Sequence, residues 1–315
     1  MIQRRALPLL PLTLPVPARA QAPRSLHIFV GAAPGGGFDA LARSVEAAGR
    51  AAGLLSEVTV EHVPGAGGTV GLPRFAAQRR GRGDALMIGG AVLMGAAISN
   101  RSPMTLRDVT PIARLIEEPG VIVSPAGGDL PDMPALLAAL RANSGAVPVA
   151  GGSAGGFDHI IWGRLIQAVG GSPRAAAYVA FPGGGPARAA ILGRQVRAGI
   201  AGWAEFAEDI RAGRMRALAT TAAERVVPEV PTLRDGGVDL AAANWRGVFA
   251  PPGIGAPQRE GLIALIRALA ATPAWQEQLR LRSWDGALLL GDDFARFLAA
   301  EEQAMTAVLR DLGLA

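Results

Sequence analysis

Short apolar segments of strand length alternate with segments of helical period along most of the chain. This order predicts an α/β fold, in which a parallel or mixed sheet is flanked by helices. The predicted strands cover residues 26–31, 57–63, 85–90, 120–125, 146–152, 175–181, 195–202, 215–221 and 244–251. Helical patterns between them include residues 38–52, 133–142, 157–169, 184–193 and 203–212, and after Pro257 the pattern is wholly helical, over residues 258–271, 274–282 and 292–310.

Two segments of this pattern are candidates for crossings between domains, namely "EEPGVIVSP" at residues 117–125 and "NWRGVFAPPG" at residues 244–253. A chain of 315 residues is long enough for about two domains. A chain that leaves one α/β lobe and later returns to it forms two lobes joined by paired strands, and small ligands bind in the cleft between such lobes. We therefore expect one lobe of residues 26–122 plus 250–315 and a second lobe of residues 123–249.

The N-terminal residues have a different pattern. Two arginines precede an apolar run from Ala6 to Val16, and Ala18, Arg19 and Ala20 then form a small-x-small pattern. This arrangement is typical of a secretory signal peptide, which we predict over residues 1–20. The apolar run is too short to cross a bilayer, so the mature protein is expected to be soluble.

Composition and charge exclude several kinds of chemistry. All 31 basic residues are arginine, and the absence of lysine excludes a Schiff-base enzyme and a Walker-type nucleotide site. The absence of cysteine excludes disulfides, thiolate metal sites and cysteine nucleophiles, and three dispersed histidines show no metal-ligand spacing. Removal of the signal peptide takes three arginines and lowers the net charge from +5 to +2. We therefore expect no cofactor, no metal and no nucleic-acid partner.

Four glycine clusters each follow a predicted strand and run into a helical pattern: "PGGGFD" (34–39), "PGAGGTVG" (64–71), "GGSAGGFDH" (151–159) and "FPGGGPA" (181–187). A turn from strand to helix presents unpaired N–H groups at the positive end of the helix dipole, so it can bind an anion without a basic side chain. Glycine lets a ligand approach the backbone closely. Four such turns predict a cleft that is lined by backbone donors from both lobes.

Asp39 and Asp158 occupy matching positions, because each follows glycines and a phenylalanine at the start of a helical pattern. One interpretation is that each carboxylate caps its helix. The other is that each orients its loop or accepts a hydrogen bond from a ligand ammonium or hydroxyl group. The sequence leaves both interpretations open.

Two of the glycine-rich turns also match enzyme motifs. "GGGFDA", from Gly35 to Ala40, fits the dinucleotide fingerprint, with Glu61 as the ribose-binding acid, so an NAD(P)-dependent oxidoreductase is the alternative function. The glycine-dense loop that follows Glu61 is not a feature of a ribose pocket. "GGSAG" (151–155) fits the nucleophile elbow of serine hydrolases. The only histidine after Ser153 is His159 on the same helix, which cannot act as a separate general base.

With these loops identified, the chain resembles the Bug-type substrate-binding receptors of tripartite tricarboxylate transport systems. The resemblance begins near residue 26, extends to the C-terminus, and rests on "PGGGFDALAR", "VPGAGGTVG", "LRDVTPIARL", "GGSAGGFDH", "FPGGGPARAAILGRQV", "GRMRALATTAAERVVPEVPTLRDGG" and "WRGVFAPPGIGAP". It implies a two-lobed periplasmic binding protein of the Venus flytrap type (type II), without catalysis. Such a receptor binds a small carboxylate and delivers it to a membrane permease or signals its presence. We expect it to be a monomer.

The resemblance also implies the ligand-binding residues. The first glycine loop and the loop at residues 151–159 would hold a ligand carboxylate through backbone amides and ordered water. An anionic oxygen against residues 35–37 would explain why no side chain is present there. The residues expected at the cleft are Gly35, Gly36, Gly37, Phe38, Asp39, Gly67, Gly68, Thr69, Ser153, Ala154, Gly155, His159, Phe181, Gly183 and Trp203.

The chain departs from the family pattern at several positions. Phe38 stands where a hydroxyl residue is common, Phe181 replaces a usual tyrosine, and the strand that ends at "AGIAGW" (198–203) lacks an acid that is often found there. Together with Phe157 and Trp203, the two phenylalanines predict a ligand with an apolar or aromatic body and a single carboxylate. The alternative is that these aromatic side chains pack against one another.

Overall fold

The computed structural model describes residues 22–315, so the signal peptide predicted over residues 1–20 lies outside the described residues. The strands are β1 (Ser25–Val30), β2 (Glu57–His62), β3 (Ala85–Gly90), β4 (Thr110–Pro125), β5 (Val149–Gly151), β6 (Tyr178–Ala180), β7 (Ala198–Gly202), β8 (Met215–Thr220), β9 (Ala243–Ala250) and β10 (Asp285–Leu290). The α-helices are α1 (Gly37–Ala51), α2 (Gly71–Gln78), α3 (Ala91–Ser99), α4 (Met133–Asn143), α5 (Phe157–Ala168), α6 (Gly184–Leu192), α7 (Trp203–Arg211), α8 (Ala256–Ala270), α9 (Pro273–Arg282) and α10 (Gly291–Asp311).

One long strand, β4, belongs to both halves of the sheet. The strand order is β2-β1-β3-β9-β4-β7-β5-β6, and β8 and β10 also pair with β4. Residues 110–119 of β4 run antiparallel to β9, and residues 120–123 run antiparallel to β7. We call β1, β2, β3, β9 and β10 the first half of the sheet, and β5, β6, β7 and β8 the second half.

Within each half, parallel strands lead into helices at the same edge. β1 pairs in parallel with β2 and β3, and β5 pairs in parallel with β6 and β7. Five of these strands run almost directly into a helix, from β1 to α1, β3 to α3, β5 to α5, β6 to α6 and β7 to α7. The carboxyl ends of parallel strands are the usual place for ligand sites in α/β sheets, so this connectivity brings five helix N-termini to one region.

Helix α1 shows how the sequence pattern builds the core. Its buried residues Leu41, Val45 and Ala48 recur at helical spacing and belong to the large apolar cluster that also contains Ile28 of β1. A smaller cluster packs behind the second half and includes Trp203 and other residues of α6, α7 and the end of β4. Among residues 22–315, every helix is too short or too polar to span a bilayer.

The predicted α/β class is confirmed, and most predicted elements agree with the observed ones to within a few residues. β4 begins at residue 110, ten residues before the predicted start, because its charged residues interrupt the apolar pattern. Those charges find partners only in the folded chain: Arg114, for example, donates to the carbonyl oxygen of Ala287 at 2.9 Å. The prediction that the pattern after Pro257 is wholly helical is wrong, because β10 lies between the predicted helices of residues 274–282 and 292–310. β10 is an edge strand on β4 whose sequence "DGALLL" contains three consecutive leucines and so has no apolar–polar alternation.

The lobe boundaries stay a prediction. Strand β9, of which residues 243–249 were assigned to the second lobe, hydrogen-bonds to β3 and to residues 110–119 of β4 in the first half of the sheet. The change from one half to the other occurs in β4 between Pro119 and Gly120, where the partner strand changes from β9 to β7.

Candidate functional site

A cavity lies between the two halves of the sheet, at the point where five helices begin. Its wall is formed by the first residues of α1, α3, α5, α6 and α7 and by β9 residues. The lining residues are Gly31, Ala32, Gly36, Gly37, Phe38, Gly65, Gly67, Val92, Gly152, Ser153, Asp158, Pro182, Gly183, Gly184, Glu205, Asn244 and Arg246. The cavity therefore draws on both halves, as a cleft between two lobes does.

The five helices share an unusual N-terminus. The residue that precedes each helix is a glycine, and none of these glycines can supply a side-chain cap; they are Gly36, Gly90, Gly156, Gly183 and Gly202. Because the first N–H groups of a helix have no partner within the helix, those not used by nearby loops stay available to a ligand. The positive ends of the helix dipoles favour an anion at this place.

Loops from the two halves touch each other at the cavity. The N–H of Ala33 in the first glycine loop donates to the carbonyl oxygen of Pro182 in the second half at 3.4 Å. Gly95 of α3 packs so closely against the carbonyl oxygen of Gly155 that a β-carbon at position 95 would overlap it. The two halves are therefore in contact across the cleft.

Six of the residues predicted from the sequence line this cavity: Gly36, Gly37, Phe38, Gly67, Ser153 and Gly183. Gly35 lines a neighbouring cavity, while Ala154 and Phe181 line a pocket beside Ala66 and Asn100. The other six, which are Asp39, Gly68, Thr69, Gly155, His159 and Trp203, line none of the three. Contact between any of these residues and a ligand stays a prediction.

Asp39 holds the first glycine loop. Its carboxylate accepts a hydrogen bond from the N–H of Gly35 at 3.0 Å and lies 2.7 Å from Nε2 of His62. Burial alone would raise the pKa of Asp39, but these two partners and Arg43 together hold the pKa below its usual range. Of the two interpretations that the sequence left open, this geometry supports the loop-orienting role.

His159 holds the loop at residues 151–159 in a similar way. Its Nδ1 accepts a hydrogen bond from the N–H of Gly155 at 3.1 Å, and its ring stacks on Tyr178 with 4.2 Å between the ring centroids. Burial lowers the pKa of His159, so the ring is neutral near pH 7. Thr69 donates its hydroxyl to the carbonyl oxygen of Ala66 at 2.8 Å, within its own loop.

The aromatic residues that suggested an apolar ligand are divided between the core and the cavity. Phe157 belongs to the large apolar cluster and Trp203 to the smaller one, each with 5% of its surface exposed. Phe181 packs against the smaller cluster. Phe38 also belongs to the large cluster, is 5% exposed, and is the one of these four residues that lines the cavity. The packing alternative therefore describes Phe157 and Trp203.

Two glycines at the starts of α1 and α6 make room for side chains of the protein itself. A β-carbon on Gly37 would overlap the guanidinium of Arg246, and a β-carbon on Gly184 would overlap the carboxylate of Glu205. Gly35 has a φ of +86°, a backbone conformation that favours glycine, and open space around it. The expectation that a ligand oxygen excludes a side chain at position 37 is therefore wrong, because Arg246 fills that space.

A buried charged cluster separates this cavity from its neighbour. Arg246 of β9 is 2% exposed and forms an ion pair with the fully buried Glu118 of β4. Glu118 also accepts a hydrogen bond from Nε1 of Trp284 at 2.8 Å. The Oε1 atom of Glu205 lies 3.8 Å from Nη2 of Arg246. Sequence reasoning missed Glu205 and Arg246 as site residues. The two are forty-one residues apart, and although Arg246 lies in the segment "WRGVFAPPGIGAP", nothing in that segment marks its side chain as part of a cavity wall.

Two carboxyl groups in the cavity wall have raised pKa values. Burial raises the pKa of Glu205 to about 8, with Glu118 and Asp158 adding to the rise and Arg246 opposing it. Burial also raises the pKa of Asp158 to about 6, against the hydrogen bond that it accepts from the N–H of Gly152 at 2.9 Å. Glu205 is therefore mostly protonated near pH 7 when the cavity holds no ligand.

The cavity wall also contains buried polar atoms without a hydrogen-bond partner. These are Nη1 of Arg246 and Oδ1 of Asn244, both on residues that are 2% exposed. A buried polar group without a partner costs about 1–3 kcal/mol. A bound polar molecule with both acceptors and donors would satisfy these atoms.

The geometry gives no support to the dinucleotide alternative. Glu61, the proposed ribose-binding acid, lies 2.9 Å from His27 Nε2 and pairs with Arg74 and Arg79 at the edge strand β2. It does not line the cavity. Within residues 22–315, no group of three or more histidine or acidic side chains is placed to hold a metal ion.

Comparisons with known proteins agree with this architecture. A family model described as "Tripartite tricarboxylate transporter family receptor" matches residues 41–314. The chain is 28% identical over 306 residues to Protein BugT of Bordetella pertussis, covering 95% of this chain and 92% of that protein. Its structure is similar to that of the periplasmic binding protein BugD, with a TM-score of 0.82 and 23% identity over 92% of this chain and 98% of that chain.

A further similar structure is MatC from Rhodopseudomonas palustris with bound malate, with a TM-score of 0.79 and 24% identity over 91% of this chain and 99% of that chain. These similarities over almost the whole length confirm the predicted periplasmic-binding-protein fold.

Proposed function

The chain belongs to the tripartite tricarboxylate transporter receptor family, and on this premise we propose that it binds a small carboxylate in the cavity between its two sheet halves and presents it to the membrane permease of such a system. As a member of that family the chain is a solute-binding receptor, which is the function that the resemblance predicted.

The convergence of five uncapped helix N-termini on one cavity carries the proposal. Glycine precedes each of these helices, so no side chain of the preceding residue accepts from their first N–H groups. Backbone N–H groups at helix starts bind carboxylates well, because the donors are fixed and the helix dipole is favourable. The malate bound to MatC, a protein with a similar fold, supports a small carboxylate as the ligand.

In this proposal, binding energy is used to change conformation and no bond of the ligand is broken. A ligand that contacts both halves stabilises the arrangement in which the loops meet, so it shifts an existing equilibrium between separated and closed lobes. The contact from Ala33 to Pro182 is one that closure would form. We place the receptor in the periplasm as a monomer, exported by the signal peptide of residues 1–20.

Native mass spectrometry of the full-length protein purified from a periplasmic extract tests the proposal. We expect a retained carboxylate of a few hundred daltons, or a mass shift after addition of a mixture of mono-, di- and tricarboxylates. Titration calorimetry then ranks the ligands that bind. Failure to bind any carboxylate in either experiment would contradict the proposal.

A further inference from the structure

A neighbouring cavity, on the other side of Arg246 and Glu205 from the one described above, has charged side chains of its own. It has a volume of about 270 Å³, and its wall also includes Arg188, Arg282 and Trp284. We infer that this neighbouring cavity is a second binding site, which holds a small tetrahedral oxyanion such as phosphate or sulfate against Arg282. The inference goes beyond the proposed function, because it assigns another class of ligand to another cavity.

The neighbouring cavity is built from elements of both halves of the molecule. The first half contributes Gly35 and Ala40, at the start of α1, and Arg282 at the end of α9, which packs on α1. The second half contributes Arg188 of α6 and Ala204 of α7. An anion that binds to both sets of residues would therefore hold α6 and α7 against α1 and α9.

Arg282 is a half-buried cation without a close counter-ion. Its Nε donates to the hydroxyl of Ser44 at 2.8 Å, and its guanidinium lies 5.3 Å from the ring centroid of Trp284. Both of these partners are neutral, and no carboxylate of residues 22–315 forms an ion pair with Arg282. Burial lowers the pKa of Arg282, against the more distant charges of Asp39 and Glu118. An anion in the cavity would supply the missing negative charge.

The guanidinium of Arg188 has a counter-ion but keeps a free donor. Its Nη2 donates to the buried Asp209 at 3.0 Å, and Asp209 also accepts from Arg214 at 2.6 Å. Glu208 lies 3.4 Å from Arg214, so two carboxylates balance two guanidinium groups here. Nη1 of Arg188 takes no part in the pair with Asp209, in which Nε and Nη2 donate. It is therefore able to donate to an anion.

The wall that the two cavities share is also compatible with an anion. Arg246 is paired with Glu118, and its buried Nη1 has no hydrogen-bond partner. Burial raises the pKa of Glu205 to about 8, so near pH 7 this carboxyl group is mostly protonated, adds little negative charge and can donate a hydrogen bond. With Arg246 and Arg188 balanced by their partners, Arg282 leaves the cavity with one positive charge in excess.

The origin of the donors favours a tetrahedral oxyanion over a carboxylate. Arg188, Arg246 and Arg282 belong to α6, β9 and α9, so their donors come to the cavity from three separate elements. Guanidinium groups bind phosphate and similar oxyanions through charge-assisted hydrogen bonds. Phosphate and sulfate present oxygen atoms in four directions, whereas the two oxygen atoms of a carboxylate lie in one plane. A tetrahedral anion can therefore accept from all three elements.

Differential scanning fluorimetry of the purified protein with sodium phosphate, sodium sulfate and sodium acetate tests the inference. The titrations are made at pH 7 and at constant ionic strength, which sodium chloride maintains, so that general screening does not change. An anion that binds only the folded protein raises its melting temperature. We expect phosphate or sulfate at about 20 mM to raise the melting temperature by at least about 2 °C, and acetate to raise it by less than half of that amount.

Arg282→Gln shows whether the anion binds at this place. Glutamine can still donate to Ser44 but carries no charge, so the shift caused by phosphate should fall to less than about a third of the wild-type shift. Arg280→Gln is the matched control. Arg280 belongs to the same helix, is 70% exposed and pairs with Glu277 at 2.7 Å, so its replacement should leave the phosphate shift unchanged.

Ala204→Asp is an independent variant, which also serves if Arg282→Gln does not fold. Ala204 is the second residue of α7 and lines the same cavity as Arg282. Aspartate at this position places a carboxylate in the cavity and is favourable in the first turn of a helix. The variant should lose the phosphate shift, because its own carboxylate takes the place of the anion.

Three results would overturn the inference. The first is a wild-type melting temperature that phosphate and sulfate raise no more than sodium chloride does. The second is a full phosphate shift in folded Arg282→Gln or Ala204→Asp protein, and the third is an equal loss of the shift in Arg280→Gln. A shift with acetate as large as that with phosphate would overturn the assignment to a tetrahedral oxyanion. The proposed function is tested separately, because it depends on carboxylate binding in the other cavity.

Discussion

The guanidinium of Arg246 lies against the α-carbon of Gly37, in the space that a β-carbon on Gly37 would occupy. Arg246 belongs to β9 and Gly37 begins α1, so this contact fixes the start of the helix relative to the centre of the sheet. The contact also explains why a side chain is absent at the first position of a helix that lines the cavity.

Gly37→Ala should therefore destabilise the protein. The new methyl group overlaps a guanidinium that is buried and paired with Glu118, so either the helix start or the ion pair must shift. We expect the free energy of unfolding, measured by urea denaturation, to fall by about 1–3 kcal/mol.

Gly185→Ala is the matched control, since it also lies in the first turn of a cavity helix but a β-carbon there meets only the carbonyl oxygen of Pro34, at 3.5 Å. Its free energy of unfolding should change by less than about 1 kcal/mol. A loss at Gly185 as large as that at Gly37 would contradict the role given to Arg246.

Gly36→Val should abolish ligand binding and leave the fold intact. A β-carbon at position 36 fits at 3.4 Å from the backbone nitrogen of Gly184, but the two further methyl groups of valine would fill the space between the starts of α1 and α6. In differential scanning fluorimetry, the ligand that native mass spectrometry identifies should raise the melting temperature of the wild type and not that of the variant. If the variant has an unchanged circular dichroism spectrum and the ligand still raises its melting temperature as much as that of the wild type, this placement of the ligand is refuted.

Glu118→Gln should be strongly destabilising. Glutamine can still accept from Trp284, but the buried guanidinium of Arg246 loses its nearest counter-ion. Removing one member of a buried ion pair costs about 3–5 kcal/mol, and chemical denaturation should show a loss of that order.

Glu117→Gln provides the comparison for this substitution. Glu117 is the neighbouring residue of β4, its side chain is 38% exposed, and it lies 3.5 Å from Arg114. The free energy of unfolding should change by less than about 1 kcal/mol. Equal losses at the two positions would show that burial of the ion pair is not the cause.

Glu205 should make the stability of the unliganded protein depend on pH. Its pKa is about 8 in the folded chain against 4.5 for an exposed glutamate, so between these values the folded state binds the extra proton. The stabilising effect of this proton is complete below pH 4.5 and is lost as the pH rises to 8. As the pH rises from 4.5 to 8, the free energy of unfolding of the wild type should therefore fall relative to that of Glu205→Gln, by up to about 1.4 kcal/mol per pH unit. Urea denaturation of both proteins at pH 5.5, 6.5 and 7.5 measures this slope, and parallel stability curves would contradict the shifted pKa.

The sequence predicted the elements whose residues carry a local signal. The predicted alternation of strands and helices was correct, because the spacing of apolar residues that distinguishes the two can be read from residues close together in the chain. The glycine loops were found for the same reason, and Gly36, Gly37, Gly67 and Gly183 line the cavity, while their contact with a ligand stays a prediction. β10 was missed because its sequence "DGALLL" is a short apolar run without alternation, which does not distinguish a strand from part of a helix.

The charged part of the site had no such signal. Glu118, Arg246 and Glu205 come from three separate elements, and no local pattern in the sequence marks their side chains as members of one buried cluster. Their meeting depends on the pairing of β4 with β9 and on the position of α7 behind β4. Only the buried environment then raises the pKa of Glu205 and leaves an atom of Arg246 without a partner.

By itself, the sequence determined the fold class, the family and the position of the glycine-rich loops, since each of these depends on residues that are adjacent or regularly spaced in the chain. The tertiary structure alone decided which donors share a cavity, and that the space beside Gly37 belongs to Arg246. The physical reason is that burial and the interaction of charges depend on distances in space, and residues far apart in the chain become neighbours only when the strands pair.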